Sequence, residues 1–440
     1  MASAFICLLL FVAVFVVVQR DLVDRGAAML IGAGAFLLLG WALDFYTPAR
    51  AVQAVYFDTL ALLFGMSLIS HLLFKSGIFH ELAFEVVTYS RGNALLVLVL
   101  LVLVTYTISL VFNNLSVMVV MVPLTLVLCR SLAMDPGPVV AAELIASNLG
   151  GASTLVGDFP NMIIGAAARL HFDDFIAGMM VPCLILLAVL LLYFQRRLVA
   201  GAPGGVDLES ARRALAALSP VRNRDGRGGV DPYLFRVGAS VLGVTLAGFF
   251  LAQSLGLNPS TVAFWAGIAI LIFGRVPRAE WFQAMSGGDI LFFLGLFVMV
   301  GGLQESGLLD GLHGLIAALG AGSATLSLLL LMWIAGLVTP FLNAGPATAF
   351  LIPVAKSLSV DFPGATVWWA LSLGVLAGSS ATLSGATAGP VVASGMVNFR
   401  DRFSGGEAGV LDFRRYLRWG LPMAGLFLGI SSLYIMAITP

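Results

Sequence analysis

Long apolar runs separated by short polar stretches recur from one end of the chain to the other. Residues 27–45, 175–194 and 233–251 are examples, each near the roughly 18–20 residues that a spanning helix needs. The pattern predicts membrane segments at about 3–19, 27–46, 53–74, 93–112, 116–130, 139–168, 175–195, 233–253, 260–274, 288–304, 322–342, 346–358, 366–397 and 418–438. Two pairs, 93–112 with 116–130 and 322–342 with 346–358, are joined by only a few residues, and their second members are short. Each pair therefore predicts a re-entrant hairpin that leaves on the side it entered. Ten full crossings remain.

Composition agrees with this. Hydrophobic residues make up 60% of the 440 and charged ones only 10%, against about 25% charged in a soluble domain. The class is all-α integral membrane. A net charge of zero gives no sign of a nucleic-acid partner. Cys7, Cys129 and Cys183 have neither metal-ligand nor pairing spacing, so they read as apolar filler. The first apolar run lacks a preceding basic region, and its first positive charge, Arg20, follows it. That predicts a retained first helix with its N-terminus outside.

Charge tests the topology. Threaded through both hairpins, only Arg50, Arg169 and Lys356 fall outside among the 23 basic residues, which is the bias expected of cytoplasmic loops. Reading either hairpin as an ordinary crossing would flip every later loop. The expected layout is N-terminal helices over 1–52, a first repeat over 53–198, a cytoplasmic linker over 199–232, a second repeat over 233–417 and a C-terminal helix over 418–440. The linker is rich in Gly, Pro, Arg and Asp. The expected location is the cell inner membrane.

The halves repeat at an offset near 230. Asp58-Thr-Leu-Ala-Leu-Leu-Phe-Gly65 resembles Asp289-Ile-Leu-Phe-Phe-Leu-Gly295, Pro123 matches Pro353, and Thr154-Leu155 with Gly157 match Thr382-Leu383 with Gly385. Five crossings separate Asp58 from Asp289, so the second copy is upside down. Inverted repeats with interrupted helices characterise many secondary transporters, which bind near the midplane where the repeats meet.

Non-helical backbone survives at membrane depth only where protein or a wet cavity satisfies it. Four places have that character: the tips Asn113-Asn114-Leu115-Ser116 and Asn343-Ala344-Gly345-Pro346, and the breaks SNLGGASTLVGDFPN at 147–161 and GSSATLSGATAGP at 378–390. Each tip begins a half-helix whose N-terminus favours an anion. Carbonyls freed by the Gly-Gly break suit a cation such as Na⁺. Glu143 and Asp158 are the leading proton carriers, because an acid at membrane depth is costly without a use. Asp58 and Asp289 read as helix caps, and His71 as a hydrogen-bonded packing residue. No phosphate-binding loop and no His-Glu-x-x-His run occurs, so neither ATP hydrolysis nor metalloprotease chemistry is expected, and the chain does not read as an enzyme.

The hairpin FNNLSVMVVMVPLTL followed by SNLGGASTLVGDFPN resembles the ion-transporter superfamily, in the branch holding arsenite permeases, NhaD-type sodium–proton antiporters and the melanosomal P protein. Dicarboxylate carriers are more distant. The resemblance runs from about 58 to 394. It implies an elevator-type carrier, usually a homodimer, with no cofactor beyond a coupling Na⁺ or H⁺. The implied substrate and ion residues are Asn113, Asn114, Ser147, Asn148, Thr154, Asp158 and Asn161 from the first half, and Asn343, Ser380 and Thr382 from the second. Na⁺ would sit at the 113–116 tip and the 147–157 break. The branch usually has Asp-Asn at each tip, whereas this chain has Asn113-Asn114 and Asn343-Ala344. In the second break, Ser380-Ala381-Thr382 replaces Asn-Gly-Thr. The expectation is an ion-coupled transporter of a small anion or metalloid oxyacid, with a sodium–proton antiporter and a passive channel or facilitator as alternatives.

Overall fold

The computed structural model describes residues 2–20, 22–90, 93–132, 134–198, 229–403 and 411–439. Among these the chain is helical and contains no strand. The first half runs α1 (Ala2–Gln19), α2 (Arg25–Ala42), α3 (Pro48–Ala54), α4 (Phe57–Lys75), α5 (Ile78–Ser90), α6 (Ala94–Ser109), α7 (Asn114–Ser131), α8 (Pro136–Ala152), α9 (Phe159–Ala168) and α10 (Phe172–Leu198). The second runs α11 (Pro232–Leu255), α12 (Pro259–Phe273), α13 (Trp281–Ala284), α14 (Gly287–Glu305), α15 (Leu308–Gly320), α16 (Ala324–Leu342), α17 (Ala344–Asp361), α18 (Thr366–Ala381), α19 (Gly389–Phe403) and α20 (Phe413–Ile438). Eight of these helices are long and apolar enough to cross a membrane.

Helix starts follow local chemistry. Asp24, Asn93, Asp135, Asp231 and Asp412 each accept a backbone N–H of the first turn of α2, α6, α8, α11 and α20, which satisfies donors the helix itself cannot. Proline opens α3, α8, α11 and α12, where its missing N–H costs nothing.

Helix pairs stand where both hairpins are expected, α6–α7 and α16–α17. Their second members, α7 and α17, run 18 residues each and are not the short segments that the apolar runs suggest, and α7 and α16 are themselves long enough to cross. Both interrupted helices are present, as α8–α9 and α18–α19. Helices α5 and α15, each of 13 residues, are not anticipated by the apolar runs. Their polar residues, including His80, Glu81 and Glu85 in α5 and Asp310 and His313 in α15, break any run long enough to span. Helix starts at 78, 94 and 114 recur at 308, 324 and 344, and the start of α1 at 2 recurs at 232.

Helices of opposite halves interlock through glycine. A Cβ on Gly65 of α4 would stand 1.8 Å from the carbonyl oxygen of Ala263 on α12. In the related place, a Cβ on Gly295 of α14 would stand 2.6 Å from the carbonyl of Met29 on α2. Only the missing side chain lets these backbones meet, a packing device that helices in lipid favour.

Ion pairs tie helix ends, each joining ends that the expected topology puts on a common face. On one face Lys75 Nζ lies 2.7 Å from Glu280 Oε2, and Arg415 meets Asp135. On the other, Arg50 meets Glu305, and His313 Nε2 lies 3.1 Å from Asp361 Oδ2. Glu280 is solvent-facing, and the Lys75 hydrogen bond holds its carboxyl below the ordinary range. His71 is directed at the same carboxylate, 3.6 Å away, and not at a packing partner within the helices. The predicted linker lies outside the described residues over 199–228.

Candidate functional site

The first tip is a turn over 110–113, three residues earlier than the expected 113–116, because Asn114 already belongs to α7. Asn113 caps α7, with its Oδ1 accepting from the Ser116 amide at 2.9 Å. Asn114 reaches across to α8, where its Nδ2 donates to Asn148 Oδ1 at 3.0 Å. Asn148 Nδ2 in turn donates to the Ser379 carbonyl of the other half at 3.3 Å.

Helix α8 continues through Gly150 and Gly151 to Ala152, so the break covers 153–158 and not the Gly-Gly pair. The glycines serve close approach instead. A Cβ on Gly150 would lie 2.3 Å from the Tyr106 carbonyl of the hairpin, and one on Gly151 would lie 2.5 Å from Asn114 Oδ1. The carbonyls released by the break are also taken: Asn161 Nδ2 donates to the Ala152 and Thr154 oxygens at 2.9 and 2.8 Å. Ser372 Oγ of α18 completes this knot by donating to Asn161 Oδ1 at 2.7 Å. Asp158 caps α9 by accepting from the Phe159 amide at 2.9 Å.

The second tip is the single residue Asn343, with a left-handed φ of 76°. Its side chain does not cap α17, as the sequence suggested. It turns into the second break and donates to the Ser384 and Ala386 carbonyls at 3.1 and 3.0 Å. Ala344 N–H donates to the Gly385 carbonyl at 3.0 Å. Tip and break in this half are therefore stitched together through backbone.

A cavity of about 520 Å³ lies where these parts converge. Leu115 and Phe159 border it from the first half, and Asn343, Pro346, Ser384 and Thr387 from the second. Its far wall is Gln19, Asp24, Arg25 and Asp289, from the α1–α2 loop and the start of α14. Phe159 and Phe293 meet edge-on across the seam, ring centres 5.0 Å apart. The starts of α9, α17 and α19 all face this space through Phe159, Pro346 and Pro390.

Of the expected site residues only Asn343 lines the cavity. Asn113, Asn114, Ser147, Asn148, Asp158 and Asn161 are buried behind Leu115 and Phe159. Ser147 and Ser380 spend their hydroxyls on carbonyls of their own helices, Leu144 and Leu376 at 2.9 Å each. Glu143 stands apart: its Oε1 accepts from Thr105 at 3.3 Å and Thr125 at 3.0 Å, one on each hairpin arm. Among the buried oxygens without a hydrogen-bond partner in the described residues are Thr387 Oγ1 on the cavity wall, Ser109 Oγ of the first hairpin, and the pair Glu143 Oε2 and Asn114 Oδ1. The latter converges with the Gly157 carbonyl and Asp158 Cβ around Gly151, all within 3 Å of where its Cβ would sit.

Asp289 is a cavity residue and Asp58 a partner of the Ser260 hydroxyl, so neither is a helix cap. Sequence reasoning passed over Ser372, Ser384, Thr387, Phe159, Gln19 and Arg25. Ser384 and Thr387 stand inside the quoted second break, where their hydroxyls were a usable signal. The others offer none, being ordinary residues made relevant by distant neighbours.

The sequence matches the citrate transporter family over residues 11–374. The chain belongs to that family. Among its relatives, the magnetosome protein MamN of Magnetospirillum gryphiswaldense is 43% identical, with 99% of each chain covered. An uncharacterized transporter of Mycobacterium tuberculosis is 30% identical over 98% of this chain and 97% of its own. The human P protein is 27% identical over 96% of this chain and 58% of its own length. The YdaH transporter of Alcanivorax borkumensis shares the fold, with a TM-score of 0.60 at 15% identity over 88% and 86% of the two chains. This citrate transporter family member is thus a multi-pass secondary transporter and not an enzyme.

Proposed function

We propose that the chain moves a small anion, a carboxylate or a metalloid oxyacid, by an ion-coupled elevator mechanism. The observation that carries this reading is the shared cavity. The second tip and second break border it, the first half reaches it through Leu115 of its hairpin and Phe159 after its break, and three helix N-termini face it. Those termini turn the positive ends of their dipoles toward the cavity, which favours an anion, while their leading N–H groups are held by Asp158, Gly385 and Ala386. The far wall carries one cation, Arg25, beside two carboxylates, Asp24 and Asp289, so the helix ends and not that wall favour the anion.

The hairpins, α8–α9 and α18–α19 form the moving body. Helices α1, α2, α4, α11, α12 and α14 form the frame, usually doubled as a homodimer. The repeats are 2–198 and 232–438, wider than the sequence pattern suggests, because α1 and α11 stand at the same spacing as the hairpins. The N-terminus faces outside the inner membrane, and the cavity then opens to the cytoplasm past Asp24 and Arg25.

The coupling ion is held by the first half. Asn114 Oδ1, the Gly157 carbonyl and the Asp158 carboxylate supply oxygen ligands of the kind Na⁺ takes, and Asp158 or Glu143 holds the proton if H⁺ is used instead. The second half commits its amide, Asn343, to structure and offers no equivalent acid. The test is uptake of citrate, phosphate or arsenite into proteoliposomes under imposed Na⁺ or pH gradients. Gradient-driven accumulation of one of them supports the reading. Sodium-driven pH change without any anion requirement supports sodium–proton antiport, to which the orphan Asn114 oxygen also lends itself. Unitary currents in planar bilayers support a channel.

A further inference from the structure

The face opposite the mouth of the central cavity carries a second, unassigned space. It measures about 580 Å³ and lies in the seam between α4 and α12 on one side and α9 and α17 on the other. Arg169, His171 and Lys356 line it, together with Tyr56, Asn258 and Ser260. We propose that this is a capture site for a small oxyanion, a carboxylate or phosphate, separate from the central cavity.

Three observations carry it. First, this face is stripped of cations: only Arg50, Arg169 and Lys356 stand on it among 23 basic residues, yet two of the three converge on one cavity. The third, Arg50, is in the adjoining pocket that shares Tyr56 and Lys356, and there it is neutralised by Glu305. Second, Arg169 and Lys356 have no carboxylate partner among the described residues. Lys356 lies over the Tyr56 ring, 5.0 Å from its centre, which positions the ammonium without cancelling its charge. Arg169 holds a left-handed φ of 56° at the end of α9, a strained conformation for a non-glycine.

Third, two of the nearby acids are engaged, and the remaining one, Asp173, has a buried Oδ1 without a hydrogen-bond partner among the described residues but is not a lining residue. Asp58, the one carboxylate among the lining residues, is bound by the Ser260 hydroxyl. Asp174 accepts the His171 backbone N–H at 2.8 Å. His171 Nδ1 is buried with no partner among the described residues. A guanidinium fork and an ammonium with a spare imidazole nitrogen match the geometry of an oxyanion. The same chemistry would accept a soluble anion or a phospholipid headgroup. Its walls are protein on both sides of the seam, so the soluble anion is the ligand assigned.

The experiment reads occupancy and not transport, so it stands or falls apart from the transport reading. A cysteine is placed at Ala167, a lining residue; the native cysteines are buried. The full-length protein in phosphatidylcholine nanodiscs is labelled with a charged maleimide. Millimolar citrate or inorganic phosphate should slow labelling at least fivefold, and a cysteine at exposed Gln253 should label at an unchanged rate. Adding R169Q and K356Q should remove the protection, while R169K should keep part of it. The assignment is overturned by absence of protection in the parent, or by equal protection in a folded double variant. Slowing by phosphatidylglycerol in the discs, with none by soluble anions, would reassign the site to lipid.

Discussion

Thr154 and Thr382 form matching clasps in opposite halves. Each hydroxyl donates to a carbonyl at the end of the first hairpin arm, Leu110 at 2.5 Å and Pro340 at 3.3 Å. Each accepts the amide three residues onward, Gly157 at 3.3 Å and Gly385 at 2.9 Å. One hydroxyl thus fixes a break to its hairpin, and the inverted halves use it alike although their amides and acids differ.

Replacing either threonine by valine keeps the volume and deletes the clasp. Each change should lower stability by about 1–3 kcal/mol, the cost of leaving buried polar groups unpaired, and should reduce transport more than expression. Serine at the same position should restore most of both. Thermal shift and proteoliposome uptake measure the two effects.

Asp158→Asn keeps the α9 cap, since an amide oxygen can accept the Phe159 N–H, but removes the charge. Coupled transport should be lost while membrane expression and gel-filtration profile stay as in the parent. An unchanged coupling ratio and pH dependence would assign the coupling ion elsewhere, with Glu143→Gln the next variant to measure.

The sequence made much of this legible and some of it not. Tips and breaks stand out because dense Asn, Ser and Gly have few uses in lipid, and the repeat is visible because Thr154, Gly157 and their counterparts keep their spacing. The exact ends of the breaks are not legible. Gly150 and Gly151 remain helical because the hairpin presses against them, and that contact comes from Tyr106 and Asn114, far back in the chain. Asn343 caps nothing because Ser384 and Ala386 offer it carbonyls 41 and 43 residues away. The Asn148–Ser379 and Asn161–Ser372 bonds, spanning 231 and 211 residues, have no local trace.

Phe159 and Phe293 provide a test of movement. Phe159 belongs to the proposed moving body and Phe293 to the frame. Cysteines at both positions, linked by a short bifunctional thiol reagent, should stop transport, and reagents cleavable by reductant should let it resume. Cross-linking without inhibition would exclude sliding along this seam.

Gly65→Ala places a methyl group into the Ala263 backbone and cannot be relieved by a side-chain rotation. It should cost at least about 1–3 kcal/mol, seen as a lowered melting temperature and poor yield. Gly288→Ala, with nothing within 4 Å of the added atom, should cost little and serves as the comparison.

The seat of Gly65 on Ala263 also bears on biogenesis. The two residues lie 198 positions apart, so at about 5–20 residues per second the ribosome needs about 10–40 s to deliver α12 after α4. During that interval α4 rests in the bilayer without its mate, and the amino-terminal half on its own has no means to finish. Two separately translated halves should therefore be degraded when made singly and recovered when made together.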